Sequence, residues 1–517
     1  MVRIAPSYSP APPRRRDDAP AVLTPGEPFP LTRRSRRRLP VARELRLGST
    51  AAIVTIATLA GATIRLAVNR DLSLQEVKTA EAARLSFGAL IGHLTRTGVQ
   101  PPLHPVLEWF VVRLVGGGDF ALRLPSLVAG IALIPVAAWL GAELFDRRTA
   151  IAAALFASVA PALVWYSQEA SSYALVALFS TLAVIGAVRA IRRGHTGDWV
   201  LHVLGASLAV WADWSGIFVV AAIELGFVAA VIVRRRIAAP QRQFLVAWGL
   251  DTLAVGFQLA ALAVLFASQV KHNGGLGGVT GVSASGVSFY TTVSNVSWGL
   301  FGFHPGAVTG VLSALWPLAM LASLVMIGRE AGPRAWLLLG YALIPAVGVF
   351  LLGLAVPGAF DVRYALAAVP LVWVLIAHVA TAWPRSRLGR TLVVGGILLL
   401  LAGALVDQQI DLNNPRRYEF RQSFAQVQRD AHPGAAVFYE PAALHPVVSR
   451  YAPGLHASPL TTRLPTRTQA GSVFVITSFA NSPRLQALLN REIGALRATR
   501  HLVSYHTYAG VKVWRFR

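Results

Sequence analysis

Groups able to move protons and hold anions cluster in one stretch of the chain, between Arg65 and Tyr173. A polar segment with Asp71, Glu76 and Glu81 follows the first apolar run. It leads into Gln100-Pro101-Pro102-Leu103-His104, then Phe120-Ala121-Leu122-Arg123-Leu124-Pro125, then Trp165-Tyr166-Ser167-Gln168-Glu169. Carboxylates at such positions can accept a proton, and guanidinium groups can hold a phosphate through paired hydrogen bonds. Charge beside apolar spans is costly unless it is solvated, paired or used, so these residues mark a polar cavity at a membrane surface.

The elements that position them follow from composition. Of 517 residues, 54% are hydrophobic and 14% charged, too apolar a balance for a soluble domain. The net charge of +24 comes from arginines spaced between apolar runs. That pattern fits membrane topology and anionic headgroups and argues against a nucleic-acid partner. With no cysteine, disulfide, thiol and thiolate-metal chemistry are absent.

The fold class expected is an all-α polytopic membrane protein with about 11 transmembrane helices and a small C-terminal extracytoplasmic α/β domain. Residues 1–46, rich in Pro and Arg, read as a disordered basic cytoplasmic tail, 47–406 as the transmembrane domain with a long first outer loop at 68–119, and 407–517 as the α/β domain. Spans are expected at 49–67, 120–143, 149–166, 172–191, 198–213, 215–233, 245–268, 306–327, 335–356, 363–383 and 390–406. This count places Arg147-Arg148, Arg192-Arg193, Arg234-Arg235-Arg236, Arg329 with Arg334, and Arg385 with Arg387 in the cytoplasm, beside a cytoplasmic N-terminus. It requires 102–115 not to cross but to lie at the outer interface as an amphipathic helix, and an earlier interfacial helix is expected in the same loop at 74–94. Beyond 406, strands are expected at 436–439, 473–477 and 511–516 and helices at 420–431, 441–451 and 483–499.

In order and spacing these motifs resemble the GT-C glycosyltransferases, in particular the family 39 or RgtA-like group related to protein O-mannosyltransferases and to the aminoarabinose transferase of lipid A. The resemblance rests on the acidic first loop, Pro101-Pro102-Leu103, Phe120 to Ser126, Trp165 to Ala170, and Arg363-Tyr364. It implies inverting transfer of a sugar from a polyprenyl-phosphate donor to an envelope glycan, glycolipid or protein at the outer face of the cytoplasmic membrane. The Ala, Arg and Gly bias suggests a GC-rich bacterial genome, a setting in which the resemblance would imply mannose or arabinose donors on decaprenyl phosphate. Gln75, Gln100 and Ser171 stand where the family pattern has aspartate, histidine and arginine.

Such a reaction needs a carboxylate base and cations for the departing phosphate. Glu76 is the first choice of base and Asp71 the second. Glu76 could instead face water and pair with Lys78 or Arg84, and Asp71 could be a helix N-cap. Arg363 and Arg123 are the expected phosphate ligands, although Arg123 could also snorkel to headgroups. Glu169, Gln100, His104 and Asp213 are expected around the substrate; Glu169 could instead cap a helix or pair with Arg123, and Asp213, between Trp211 and Trp214, fits a sugar site and an aromatic belt equally. No run of His, Asp and Glu has metal-ligand spacing, so no metal or other cofactor is expected. The alternatives are a non-catalytic relative that binds lipid-linked sugar or a partner protein, and a transporter, which the absence of an internal repeat disfavours.

Overall fold

The computed structural model describes residues 41–517 apart from 69, 97, 99, 234–240, 275–299, most of 301–361, 413, 415, 461–470 and 479–482. Apolar runs must satisfy every backbone group internally in a hydrocarbon environment, and here they do so as helices. These are α1 (Val41–Leu66), α5 (Asp119–Leu144), α6 (Arg147–Val159), α7 (Pro161–Ser167), α8 (Tyr173–Arg193), α9 (Thr196–Ala212), α10 (Gly216–Val233), α11 (Gln241–His272), α12 (Val369–Ala382) and α13 (Arg387–Ile410), with α2, α3 and α4 in the loop after α1. Among the described residues, six helices are long and apolar enough to cross a membrane, or up to seven if the bent pair α6 and α7 is one span.

That pair is the expected span 149–166, broken by 56°. Pro161 pushes the preceding residue out of the helical region, and Ala160 accordingly sits at φ −58°, ψ 120°. The expected spans at 198–213 and 215–233 are α9 and α10, only 17 and 18 residues long. Those at 306–327 and 335–356 fall largely outside the described residues. Helices α8 and α9 touch backbone to backbone: a methyl on Gly186 would collide with the main chain of His202, and one on Gly205 with that of Ala183.

The loop between α1 and α5 does not contain one helix over 74–94. It holds α2 (Leu74–Ala83) and α3 (Phe87–Arg96), followed by α4 (Leu103–Leu114). The break between α2 and α3 is held from α4, where Arg113 donates to the carbonyls of Ala83 (3.0 Å) and Leu85 (2.6 Å) and Trp109 donates to Leu85 (3.0 Å).

After α13 come α14 (Phe420–Asp430), β1 (Ala436–Glu440), α15 (His445–Tyr451), β2 (Ala457–Pro459), β3 (Val473–Ser478), α16 (Pro483–Thr499), β4 (Leu502–Tyr508) and β5 (Val511–Phe516). The strands form one sheet in the order β2-β1-β3-β5-β4, with β1 parallel to β2 and β3 and the β3-β5 and β5-β4 pairs antiparallel. Strands β2 and β4 escaped the sequence reading because β2 is three residues long and β4 is an edge strand with mostly exposed side chains, so neither shows a clean alternation.

This C-terminal segment shares a core with the first loop: Leu72, Val77 and Ala80 pack with Phe420, Phe424, Val447 and Ile476. Polar contacts reinforce the junction. The Asp71 N–H donates to the Tyr418 carbonyl (3.0 Å), and the Leu72 N–H to the Tyr451 hydroxyl (2.8 Å). Asp119, at the start of α5, accepts from Arg421 (2.7 Å), Arg450 (2.6 Å) and Tyr451 (2.8 Å). Burial alone would push the Asp119 carboxyl up, but hydrogen bonds from Arg450 and Tyr451 and the charges of Arg450 and Arg421 override it and hold it below the ordinary value.

A depressed carboxylate contributes stability that is present above its unfolded pKa, about 3.9, and lost as pH falls through the lower folded value. Acidification below about pH 4 should therefore loosen the junction. Thermal midpoints of the purified protein across an acid pH series should fall in this window, and Asp119→Asn should start lower and lack that step.

Candidate functional site

The run Ser73-Leu74-Gln75-Glu76 is a capping box, and the structure uses it as one. The Ser73 hydroxyl accepts the Glu76 N–H (3.3 Å), and Glu76 Oε2 accepts the Ser73 N–H (2.8 Å). The N-cap of α2 is thus Ser73 and not Asp71, because the chain enters helical geometry only at Leu74. Asp71 instead accepts the backbone N–H of Arg421 (2.7 Å).

The second oxygen of Glu76 reaches away from its own helix. Oε1 accepts the Ala170 N–H (2.8 Å) and lies 3.5 Å from Arg123 Nε. Arg123 in turn donates to the carbonyls of Arg70 (3.1 Å) and Asp71 (3.2 Å). Both side chains are buried, with Glu76 2% and Arg123 3% exposed. One carboxylate and one guanidinium therefore tie together the first loop, the start of α5 and the turn after α7. Glu76 faces neither water nor Lys78 or Arg84, and Arg123 points inward and does not snorkel, since three acceptors inside outweigh a headgroup outside.

The Trp165 to Glu169 motif surrounds a second guanidinium. Arg70 lies 3.4 Å over the Trp165 ring, donates to the Trp165 carbonyl (3.2 Å) and approaches Gln168 Oε1 (3.5 Å). Burial pulls Arg70 down to about 9, Arg123 and Arg416 add to the effect, and Glu76 and Glu169 oppose it. Glu169 is buried at this turn, while α8 is entered at Ser172 rather than capped by Glu169. Arg416, from the segment after α13, donates to the Tyr166 hydroxyl (2.9 Å). Beneath them Arg65 donates to Ser167 Oγ (3.1 Å) and to the carbonyls of Ser158 and Ala157.

His104 and Glu108 sit one turn apart on α4, 3.5 Å from each other and fully buried. Burial pushes His104 down to about 3 and Glu108 well above its ordinary value, with the charge of Glu76 adding to the latter. Burial thus disfavours the charged form of both side chains. Gln100 contributes its carbonyl to Gln269 (3.2 Å). Asp213 is occupied in its own turn, accepting from Ser172 (2.7 Å) and from the Ser215 N–H (2.9 Å) and hydroxyl (2.7 Å). Arg363 lies in the 3-10 turn Val362–Ala368, and its side chain is outside the described residues.

The structure thus brings Glu76, Arg123 and Glu169 together, sets Asp71 at the edge of that group, and holds His104 on neighbouring α4. Sequence reasoning missed Arg65, Arg70, Glu108, Asp119, Arg416 and Arg421. Glu108 had a signal, the i, i+4 spacing to His104 on one helix face. Arg65 and Arg70 had another, as basic residues at the end of a span that the arginine distribution assigns to the side poor in arginine.

Removing the Glu76 charge leaves Arg123 buried without its partner and sets an amide N–H₂ against one of two backbone donors. Glu76→Gln should cost about 3–5 kcal/mol of stability, whereas the exposed neighbour change Gln75→Asp should stay within about 0.5 kcal/mol. Thermal or denaturant unfolding in detergent measures the difference.

Residues 99–256 match the family described as dolichyl-phosphate-mannose-protein mannosyltransferase. No curated protein matches the sequence significantly. Among solved structures, apo ArnT from Cupriavidus metallidurans aligns with a TM-score of 0.55 at 13% identity, covering 91% of this chain and 98% of that one. ArnT from the same organism bound to undecaprenyl phosphate gives 0.52 at 12% identity, over 90% and 98%. The oligosaccharyltransferase AglB from Archaeoglobus fulgidus, in complex with an inhibitory peptide and a dolichol-phosphate, gives 0.51 at 11% identity, over 90% and 74%. The resemblance carried by the motifs is borne out: the chain has the fold of the GT-C membrane glycosyltransferases.

Proposed function

We propose that the protein transfers a sugar from a polyprenyl-phosphate donor to an envelope glycan, glycolipid or protein acceptor, with inversion, at the outer face of the cytoplasmic membrane. The observation that carries this reading is the group of guanidiniums at Arg70, Arg123 and Arg416 beside the aromatic faces of Trp165 and Tyr166. Like charges held this close repel, and a bound phosphate relieves the repulsion while the rings offer an apolar face to a sugar or lipid. Arg123 is engaged with Glu76 and two carbonyls, so its part is to position the loop. Arg70 and Arg416, together with Arg363 on the strength of its motif, serve the donor phosphate.

Of the two acidic candidates, Asp71 suits the base. Both oxygens of Glu76 are committed to backbone N–H groups, and its side chain is sealed from solvent. Asp71 is less deeply buried, and burial raises its carboxyl above the ordinary value, against the opposing hydrogen bond and charge of Arg421. A raised carboxylate is a better proton acceptor for a hydroxyl attacking the anomeric carbon. Glu169 and the His104–Glu108 pair complete the polar surroundings.

The base must be ionised, so the rate should fall with pH through an inflection above the ordinary aspartate value of about 3.9. In transfer of radiolabelled sugar from a panel of polyprenyl-phosphate donors, Asp71→Asn should lose about 10²–10⁴-fold in rate while donor binding persists. Arg416→Ala should weaken donor binding about tenfold to a hundredfold. Donor bound but no product from any donor would favour a non-catalytic carrier of lipid-linked sugar; no donor bound would contradict both readings.

A further inference from the structure

We propose that His202 of α9, Glu224 of α10 and Asp251 of α11 form a binding site for a divalent transition-metal ion of the zinc class. One donor atom from each side chain lies within 4.8 Å of the other two. His202 Nε2 is 3.4 Å from Asp251 Oδ2, and both side chains are 1% exposed.

The hydrogen bonding around the group fixes which atoms face inward. His202 Nδ1 lies 3.0 Å from the Ala183 carbonyl, which can only accept, so Nδ1 carries a proton and Nε2 is the ring nitrogen left to face the carboxylates and serve as a ligand. The close approach at Gly186 and Gly205 brings that carbonyl within reach. Among the described residues, neither oxygen of Asp251 nor Nε2 of His202 has a hydrogen-bond partner. Glu224 Oε2 accepts from the Trp248 indole (2.7 Å) and approaches the Thr252 hydroxyl (3.5 Å), contacts that orient the carboxylate.

Three lone-pair donors converging in an apolar bundle repel one another unless a cation lies between them. Two carboxylates balance the charge of a divalent ion. One imidazole with two carboxylates suits zinc, whereas calcium and magnesium favour all-oxygen shells. A tetrahedral site with bonds of about 2.0–2.1 Å separates its donors by about 3.4 Å, so His202 and Asp251 already stand at ligand spacing and Glu224 has only to close in. Asp251 also lines a cavity of about 800 Å³ with Trp199, Leu204, Arg242 and Leu250.

Since each helix supplies one ligand, the ion staples α9, α10 and α11, near the end of the bundle that carries Arg192 and Arg193 and away from Glu76 and Arg70. No local spacing announces such a site, and the proposal stands whether or not the protein transfers sugar.

The test uses the full chain purified in detergent, stripped with a chelator and re-equilibrated with Zn²⁺ or Co²⁺. Wild type and Glu81→Gln, which removes an exposed loop carboxylate, should retain about one ion per chain. His202→Ala and Asp251→Asn should weaken retention at least about tenfold. Cobalt-loaded wild type should give the intense visible absorption of a tetrahedral centre, a readout that stands even if the variants do not fold. No stoichiometric metal in wild type, unchanged retention in the variants, or an octahedral cobalt spectrum overturns the proposal in favour of a bare imidazolium–carboxylate pair or adventitious binding.

Discussion

Glu76 and Arg123 form the contact on which the rest of the site depends. A carboxylate and a guanidinium buried together cost heavily in desolvation, and the cost is offset only when every remaining donor and acceptor is matched. Here the matching partners are backbone groups of two separate segments: Ser73, Arg70 and Asp71 on the first loop, and Ala170 after α7. The pair therefore dictates where the first loop lies against α5 and the α7–α8 turn. It also places Arg70 over Trp165 and sets Asp71 at the rim.

The C-terminal segment completes this arrangement from the other side. Its core is continuous with α2 through Leu72, Val77 and Ala80, and Asp71 and Asp119 each receive groups from it. The first loop, which carries the acidic candidates, is thus clamped between the helical bundle and the sheet. In the proposed reaction such clamping sets the distance between acceptor hydroxyl and donor before chemistry begins, where small displacements cost large factors in rate.

Much of this was legible in the sequence. Long apolar runs announced α1, α5, α8, α12 and α13, and alternation announced β1, β3 and β5. Motif order announced the fold. The roles of individual residues were less legible because they depend on contacts between distant segments. Glu76 reads as the first choice of base, with a water-facing acid as the alternative, and neither reading foresees its partners Ala170 and Arg123, which lie far along the chain. Asp71 looked like an N-cap because it stands just before a helical run, yet Ser73 wins by pairing with Glu76 in a capping box. Arg416 and Arg421 sat in an unremarked basic segment until the fold laid it against Tyr166 and Asp71. His202, Glu224 and Asp251 each lie in a separate apolar helix, so no local spacing links them.

The central claim is that Glu76 and Arg123 act as one unit that organises the loop. A double-mutant cycle on unfolding stability, with Glu76→Gln, Arg123→Met and the double variant, tests it most directly. If the account holds, each single change is strongly destabilising and the double change costs much less than their sum, because neither charge is then left buried alone. Additive effects would contradict it, and would return Glu76 to the position of an independent acid free to act as a base.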